Sequence, residues 1–274
     1  MMNRREFTGP GAGAAATASV PANAAAQAGF GMPHPPIVPE NDPAIAVERP
    51  QLRRPDGLVN AYAAYPTAVR ANTPGIVLVM AMWGVDDQLR DTVRRFAKAG
   101  FMCIAPDLYS RMHAPSGDGN ADIETFKPFA AQLQRKQYNG DLRAGGLSLL
   151  AKAPSCKLGV AGFSTGGHIA LIQALDNSDV FDAVAPFYGA IKDIDPTELH
   201  IPVCGSYGEK DPSIPAEEVR VWRTALRVPN DMRVYGSAGH AFFDDTRSSY
   251  VASAADDAWK RVLAFFKDQL GLQT

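Results

Sequence analysis

The run Gly162-Phe163-Ser164-Thr165-Gly166-Gly167, set directly after the apolar stretch Cys156-Lys157-Leu158-Gly159-Val160-Ala161, demands a strand, a very tight turn and a helix in immediate succession. Such a turn tolerates no bulk beside the serine, so Gly162 and Gly166 relieve crowding while Gly167 lets the helix approach the sheet closely. The Ser164 hydroxyl is then lifted clear of the backbone. The following helix points its N-terminus at any negative charge that develops there, and the N–H of Thr165 becomes a natural donor to it. Taken alone, the G-x-S-x-G string also fits a glycine-rich helix start with an ordinary serine.

A hydroxyl attacks at neutral pH only when a base takes its proton, and that base needs an orienting carboxylate. Both residue types follow downstream. Asp211 lies in the loop Gly208 to Pro215, after the strand-like Ile201 to Tyr207, and His240 lies in Gly239-His240-Ala241-Phe242, after the strand-like Met232 to Tyr235. Each gap holds about one β-α unit and a loop, so Ser164, Asp211 and His240 can meet at the carboxyl edge of one parallel sheet. The blander readings are a turn aspartate before Pro212 and a loop histidine satisfied by backbone. The other histidines fit less well: His34 sits in a Pro-rich stretch, His113 follows Leu108-Tyr109-Ser110-Arg111, His200 precedes Ile201-Pro202, and His168, four residues after Ser164 on the same helix face, could crowd the site but reads better as a packed helix residue.

At 274 residues, 46% apolar and 20% charged, the chain can bury the core of one enzyme-sized domain, and it has no apolar run long enough to span a membrane. A net charge of −2 without a basic stripe argues against nucleic acid as a partner. There are no metal-ligand clusters, phosphate-cradling loops or dinucleotide fingerprints, so no cofactor and no metal is implied. The three cysteines, Cys103, Cys156 and Cys204, sit in or beside apolar runs and read as small core residues.

The N-terminus differs from the rest. Asn3-Arg4-Arg5-Glu6-Phe7, a Gly/Ala-rich middle and the small residues Ala22 to Ala26 resemble a twin-arginine export signal over residues 1–26. That implies contact with the twin-arginine export machinery and a periplasmic or secreted product. Residues 27–43 are Pro-rich and read as an extended arm without regular structure, and residues 44–274 as the folded domain.

Within that domain, Ala44 to Arg49 and Leu58 to Tyr65 are expected as antiparallel strands. Continuous apolar runs at Ile76 to Met80, Phe101 to Ala105, Ala183 to Tyr188 and Val203 to Tyr207 suit strands buried on both faces. Helical spacing marks Asp86 to Ala99, Ile123 to Gln137, Leu142 to Lys152, Glu217 to Arg227 and Ser249 to Gln269. Alternation of this kind means an α/β fold, a mostly parallel central sheet with helices on both faces.

The segments Ala105-Pro106-Asp107-Leu108-Tyr109-Ser110-Arg111, Gly162 to Gly167, Gly208 to Pro215, Gly239 to Phe242 and Tyr250 to Ala255 together resemble the dienelactone hydrolase family of α/β-hydrolases. The resemblance runs roughly from Ile76 to Phe266. It implies hydrolysis of a small-molecule ester or lactone through a covalent acyl intermediate. It also implies that Arg111 holds a substrate carboxylate. The N–H groups of Met82, in the loop after an early strand, and of Thr165 are expected to form the oxyanion hole, and Trp83 and Tyr109 either to line the acyl pocket or to serve in the core or at its rim. An amidase or peptidase on the same scaffold and a binding protein that keeps only the fold are the alternatives.

The sequence departs from the family pattern in three places. Ser164 stands where characterised members carry Cys, and Ala81 where they carry a Glu that activates it. These two changes belong together, because a serine relies on the His-Asp pair instead. The third departure is Asp244, which takes the position of a second substrate-binding arginine and is expected to repel an anionic substrate. Arg247 is a substitute for that arginine or, more simply, a solvated surface residue.

Overall fold

The structure, a computed structural model, describes residues 30–119 and 121–272. The export-signal reading of residues 1–26 therefore lies outside the described residues. Among the described residues nine strands form the sheet, in the order β1-β3-β5-β4-β6-β7-β8-β9 with β2 paired to β3. Here β1 is Ile45–Glu48, β2 Gln51–Arg54, β3 Gly57–Pro66, β4 Gly75–Val79, β5 Met102–Pro106, β6 Leu158–Phe163, β7 Ala183–Phe187, β8 Val203–Gly208 and β9 Asn230–Tyr235. The first three pair antiparallel, and all pairs from β5 through β9 are parallel. This is the mostly parallel sheet expected from the continuous apolar runs.

The helices are α1 (Asp87–Lys98), α2 (Ile123–Ala130), α3 (Arg135–Lys152), α4 (Thr165–Asp176), α5 (Ala216–Thr224) and α6 (Ala252–Leu270). Successive residues of β6 show how they sandwich the sheet: Gly159 lies against Phe266 and Leu270 of α6, whereas Leu158 lies against Gly146 of α3. Phe96 of α1 packs edge-on against Trp259 and Phe266, so α1 and α6 share one face.

Two boundaries differ from the expectation. The strand β2 falls in what reads as a connection, because Pro50 has no N–H to give a ladder and splits one edge strand into β1 and β2. The helical region after Ile123 breaks at residues 131–134, soon after Pro128, and continues as a single α3 through Gly140. A side chain at Gly140 would collide with the Arg54 guanidinium, so the glycine there serves close approach rather than a turn.

The Pro-rich arm has no regular structure from Phe30 to Ala44, yet it is docked. Asp91 of α1 accepts the N–H groups of Ile37 and Val38 at 3.1 and 2.9 Å, and Val38 is buried in the core. Cys103 and Cys204 are buried as expected, whereas Cys156 is only partly so. No helix among the described residues is long and apolar enough to cross a membrane.

Topology places the site. The chain leaves β4 toward β5 on one side and leaves β6 toward β7 on the other, so the carboxyl ends of these neighbouring strands open away from each other. Ligands of open α/β sheets bind in the crevice at such a switch point. The loop after β4 carries Met82, and the turn after β6 carries Ser164.

Candidate active site

Ser164 has φ +54° and ψ −117°, a conformation that costs a non-glycine residue about 1–3 kcal/mol and is held here by its surroundings. Its N–H donates to Phe187 O at 3.0 Å, and its carbonyl accepts from Gly167 N at 2.9 Å. A Cβ on Gly162 would strike the Gly166 carbonyl, and one on Gly166 would strike the carbonyls of Val79 and Met80. Gly167 lies against Gly189, which lets α4 seat directly on the β6–β7 edge.

The structure brings Ser164, His240 and Asp211 into one hydrogen-bonded line. Ser164 Oγ is 2.8 Å from His240 Nε2, and His240 Nδ1 is 2.6 Å from Asp211 Oδ2. Asp211 is almost wholly buried, and its other oxygen accepts the N–H groups of Ser213 and Ile214 at 2.8 and 3.3 Å. A carboxylate can only accept, so the Nδ1 proton is fixed toward Asp211 and the Nε2 lone pair faces the serine hydroxyl. The imidazole is one-third exposed and its ring lies 5.3 Å from that of buried Tyr188. Burial, with the carboxylates of Asp244, Asp86 and Asp245 nearby, pushes the Tyr188 phenol well above its ordinary range.

Thr165 opens α4, so its N–H is one of the donors a helix start leaves unpaired. Met82 belongs to a turn closed by Gly84 N donating to Ala81 O at 3.2 Å. Among the described residues neither the Met82 nor the Thr165 N–H has a hydrogen-bond partner within the protein. Both N–H groups are thus left without a protein acceptor, one on the loop after β4 and one at the start of α4.

The three substrate-binding expectations fare differently. Arg111 is committed elsewhere: its guanidinium is bidentate to buried Asp141 at 2.8 and 2.9 Å and also reaches Asp56 at 3.2 Å, tying α3 to the β2–β3 hairpin. These partners make it a structural arginine, which corrects its reading as a carboxylate clamp. Tyr109 takes the core role of its two readings and not the pocket-lining one: it is 3% exposed, and its hydroxyl donates to Met82 O at 3.0 Å, which steadies the turn. Trp83 remains partly exposed, its ring edge-on to Phe126 at 5.7 Å.

Asp244 and Arg247 also differ from expectation. Asp244 is buried, with Oδ1 accepting from Thr246 N and Oγ1 at 3.1 and 2.6 Å, so it does not confront substrate as a bare charge. Arg247 is not solvated: its guanidinium carbon sits 3.6 Å over the Trp83 ring and its Nε 3.2 Å from Asp244. His168 Nδ1 lies 2.7 Å from the Ala190 carbonyl oxygen, to which it donates, in keeping with a packed helix residue.

One further buried acid was not foreseen. Asp86 caps α1 by accepting from Leu89 N at 3.0 Å, and its burial, reinforced by Asp244, pushes its carboxyl up to about 7 from an ordinary 3.8. The native state therefore holds this proton over a range where the unfolded chain has lost it, and stability falls as pH rises from about 4 to about 7. Asp86→Asn keeps the cap acceptor but cannot ionise. It should match the wild type in urea melts near pH 4 and exceed it by about 1–4 kcal/mol at pH 8.

The sheet order, the switch-point crevice and the elbow define an α/β-hydrolase. Residues 59–270 match the dienelactone hydrolase family. The chain belongs to that family and is a hydrolase. It is 34% identical over 253 residues to an Escherichia coli K12 protein provisionally named carboxymethylenebutenolidase, covering 86% of this chain and 92% of that one. A similarly named Methylorubrum extorquens protein is 34% identical over 228 residues and 77% of each chain. Among solved structures, a provisionally named dienelactone hydrolase from Klebsiella pneumoniae superposes with a TM-score of 0.73 at 31% identity, over 81% of this chain and 98% of that one. An acylaminoacyl peptidase of Pyrococcus horikoshii, at 13% identity and a TM-score of 0.61, shares the fold.

Proposed function

We propose that the chain is a serine hydrolase of carboxylic esters or lactones that works through an acyl-enzyme on Ser164. The observation that carries this reading is the line Ser164 Oγ–His240 Nε2–Asp211, at 2.8 and 2.6 Å. As Ser164 Oγ attacks the carbonyl carbon, His240 Nε2 takes its proton, and Asp211 steadies the imidazolium that results. The carbonyl π electrons move onto oxygen, where the N–H groups of Met82 and Thr165 meet the developing charge. Collapse breaks the bond to the leaving oxygen, which takes the proton from His240. Water then gives a proton to His240, attacks the acyl carbon, and releases the acid as the proton returns to Ser164.

With Arg111 held by Asp141 and Asp56, it cannot clamp a substrate carboxylate, so the proposal is not restricted to anionic lactones. Matched 4-nitrophenyl butyrate and butyryl 4-nitroanilide test the reaction class. We expect the ester to be turned over at least about 10³-fold faster in kcat/KM, about 4 kcal/mol of difference in the barrier. Comparable rates on the anilide would make the chain an amidase instead.

A further inference from the structure

We propose that Arg247 is a positioning residue, bracing the turn that carries Met82 against the loop that carries His240 and so fixing where the Met82 N–H points, instead of binding substrate. The inference rests on the serine-hydrolase reading for its catalytic consequence. Its geometry does not.

The turn Ala81–Gly84 has one internal hydrogen bond and one from Tyr109, both on its carbonyl side. What holds its outer side is Arg247. The guanidinium carbon lies over the Trp83 ring, 3.6 Å from its centre, and Nη2 donates to Gly117 O at 2.9 Å. Gly117 is itself pressed against the Trp83 backbone, where a side chain would collide with the Trp83 carbonyl. Trp83 is thus held between Arg247 and the Gly117 segment, one residue from the oxyanion donor.

The other end of the brace is anchored in the histidine loop. Arg247 Nε is 3.2 Å from Asp244 Oδ2, and Arg247 Nη2 is 3.9 Å from Asp86, the cap of the helix that follows the Met82 turn. Turns link Ala241 O to Asp244 N at 3.0 Å, Asp244 O to Arg247 N at 3.3 Å and Arg247 O to Tyr250 N at 3.1 Å. These successive turns tie Arg247 to Ala241, the residue after His240. A planar guanidinium can stack on an indole, donate in its plane and pair with a carboxylate at once, which an ammonium cannot. At 16% exposure the side chain offers little surface to a substrate.

The test compares Arg247→Met and Arg247→Lys with the wild type in two measurements. Amide hydrogen exchange by mass spectrometry over residues 81–85 reads the brace without any catalysis, and we expect Arg247→Met to speed it by about tenfold or more. Steady-state kinetics on 4-nitrophenyl butyrate and on mono-4-nitrophenyl succinate read the consequence. Arg247→Met should lower kcat by about 10- to 10²-fold on both esters, with KM within about twofold. Arg247→Lys should recover thermal stability but not kcat.

Unchanged exchange over residues 81–85 would overturn the brace. A loss confined to KM for the succinate ester would make Arg247 a carboxylate-binding residue, and full recovery of kcat by lysine would reduce it to charge pairing. If the wild type hydrolyses neither ester, the proposed function fails while the exchange result still decides the brace.

Discussion

Ser164→Ala is expected to lower kcat for ester hydrolysis by about 10³- to 10⁶-fold while the fold survives. The substitution removes only the hydroxyl and its 2.8 Å contact to His240. The φ of +54° is borne by the Phe187 and Gly167 backbone hydrogen bonds, which alanine keeps. Stopped assays with 4-nitrophenyl butyrate, beside thermal melts of both proteins, separate the two effects. A variant that keeps most of its rate would show that another group or a bound water is the nucleophile.

The second large effect is expected of Asp211→Asn, about 10⁴-fold in kcat. The substituted amide can keep accepting from Ser213 N and Ile214 N with its carbonyl oxygen, so the loop after β8 should stay in place. Its NH₂ then faces His240 Nδ1, which must turn acceptor, and the ring proton moves to Nε2. That nitrogen now points a proton at Ser164 Oγ and can no longer take one. The loss therefore falls on kcat through a wrong tautomer, with geometry intact. A loss below about tenfold would mean that Asp211 only shapes its loop.

The central sheet was legible because burial on both faces writes itself as unbroken apolar runs, as in Ile76 to Met80, and the strands fall there. The elbow was legible for a steric reason: only glycine fits at positions 162 and 166, where a Cβ meets backbone carbonyls. Ser164, Asp211 and His240 could be picked out by their order along the chain, each just beyond a strand-like run, here β6, β8 and β9, and the structure brings those three together. What the sequence hid are long-range partners. Arg111 was read from a local motif, but its role is set by Asp141, which lies on a helix across the sheet edge. Arg247 looks like a surface residue until the fold places Trp83 beneath it.

Tyr109 shows the same limit in a milder form. Its place near the site was readable, but whether its hydroxyl faced substrate or the Met82 carbonyl was not. Pro50 did carry a signal for the split edge strand, since a missing N–H breaks a ladder wherever the chain runs. The repulsion that Asp244 adds at Asp86 carried none, because neither residue is near the other in sequence. Polar partners chosen by topology, more than the strands themselves, set the corrections at this site.

The most direct test of an activated serine is incubation of the folded protein with a fluorophosphonate, followed by intact mass and peptide mapping, with Ser164→Ala as the control. The expected result is one adduct per chain, on the peptide that contains Ser164, and none on the variant. Folded wild-type protein that takes no adduct, or takes it elsewhere, would contradict the acyl-enzyme mechanism.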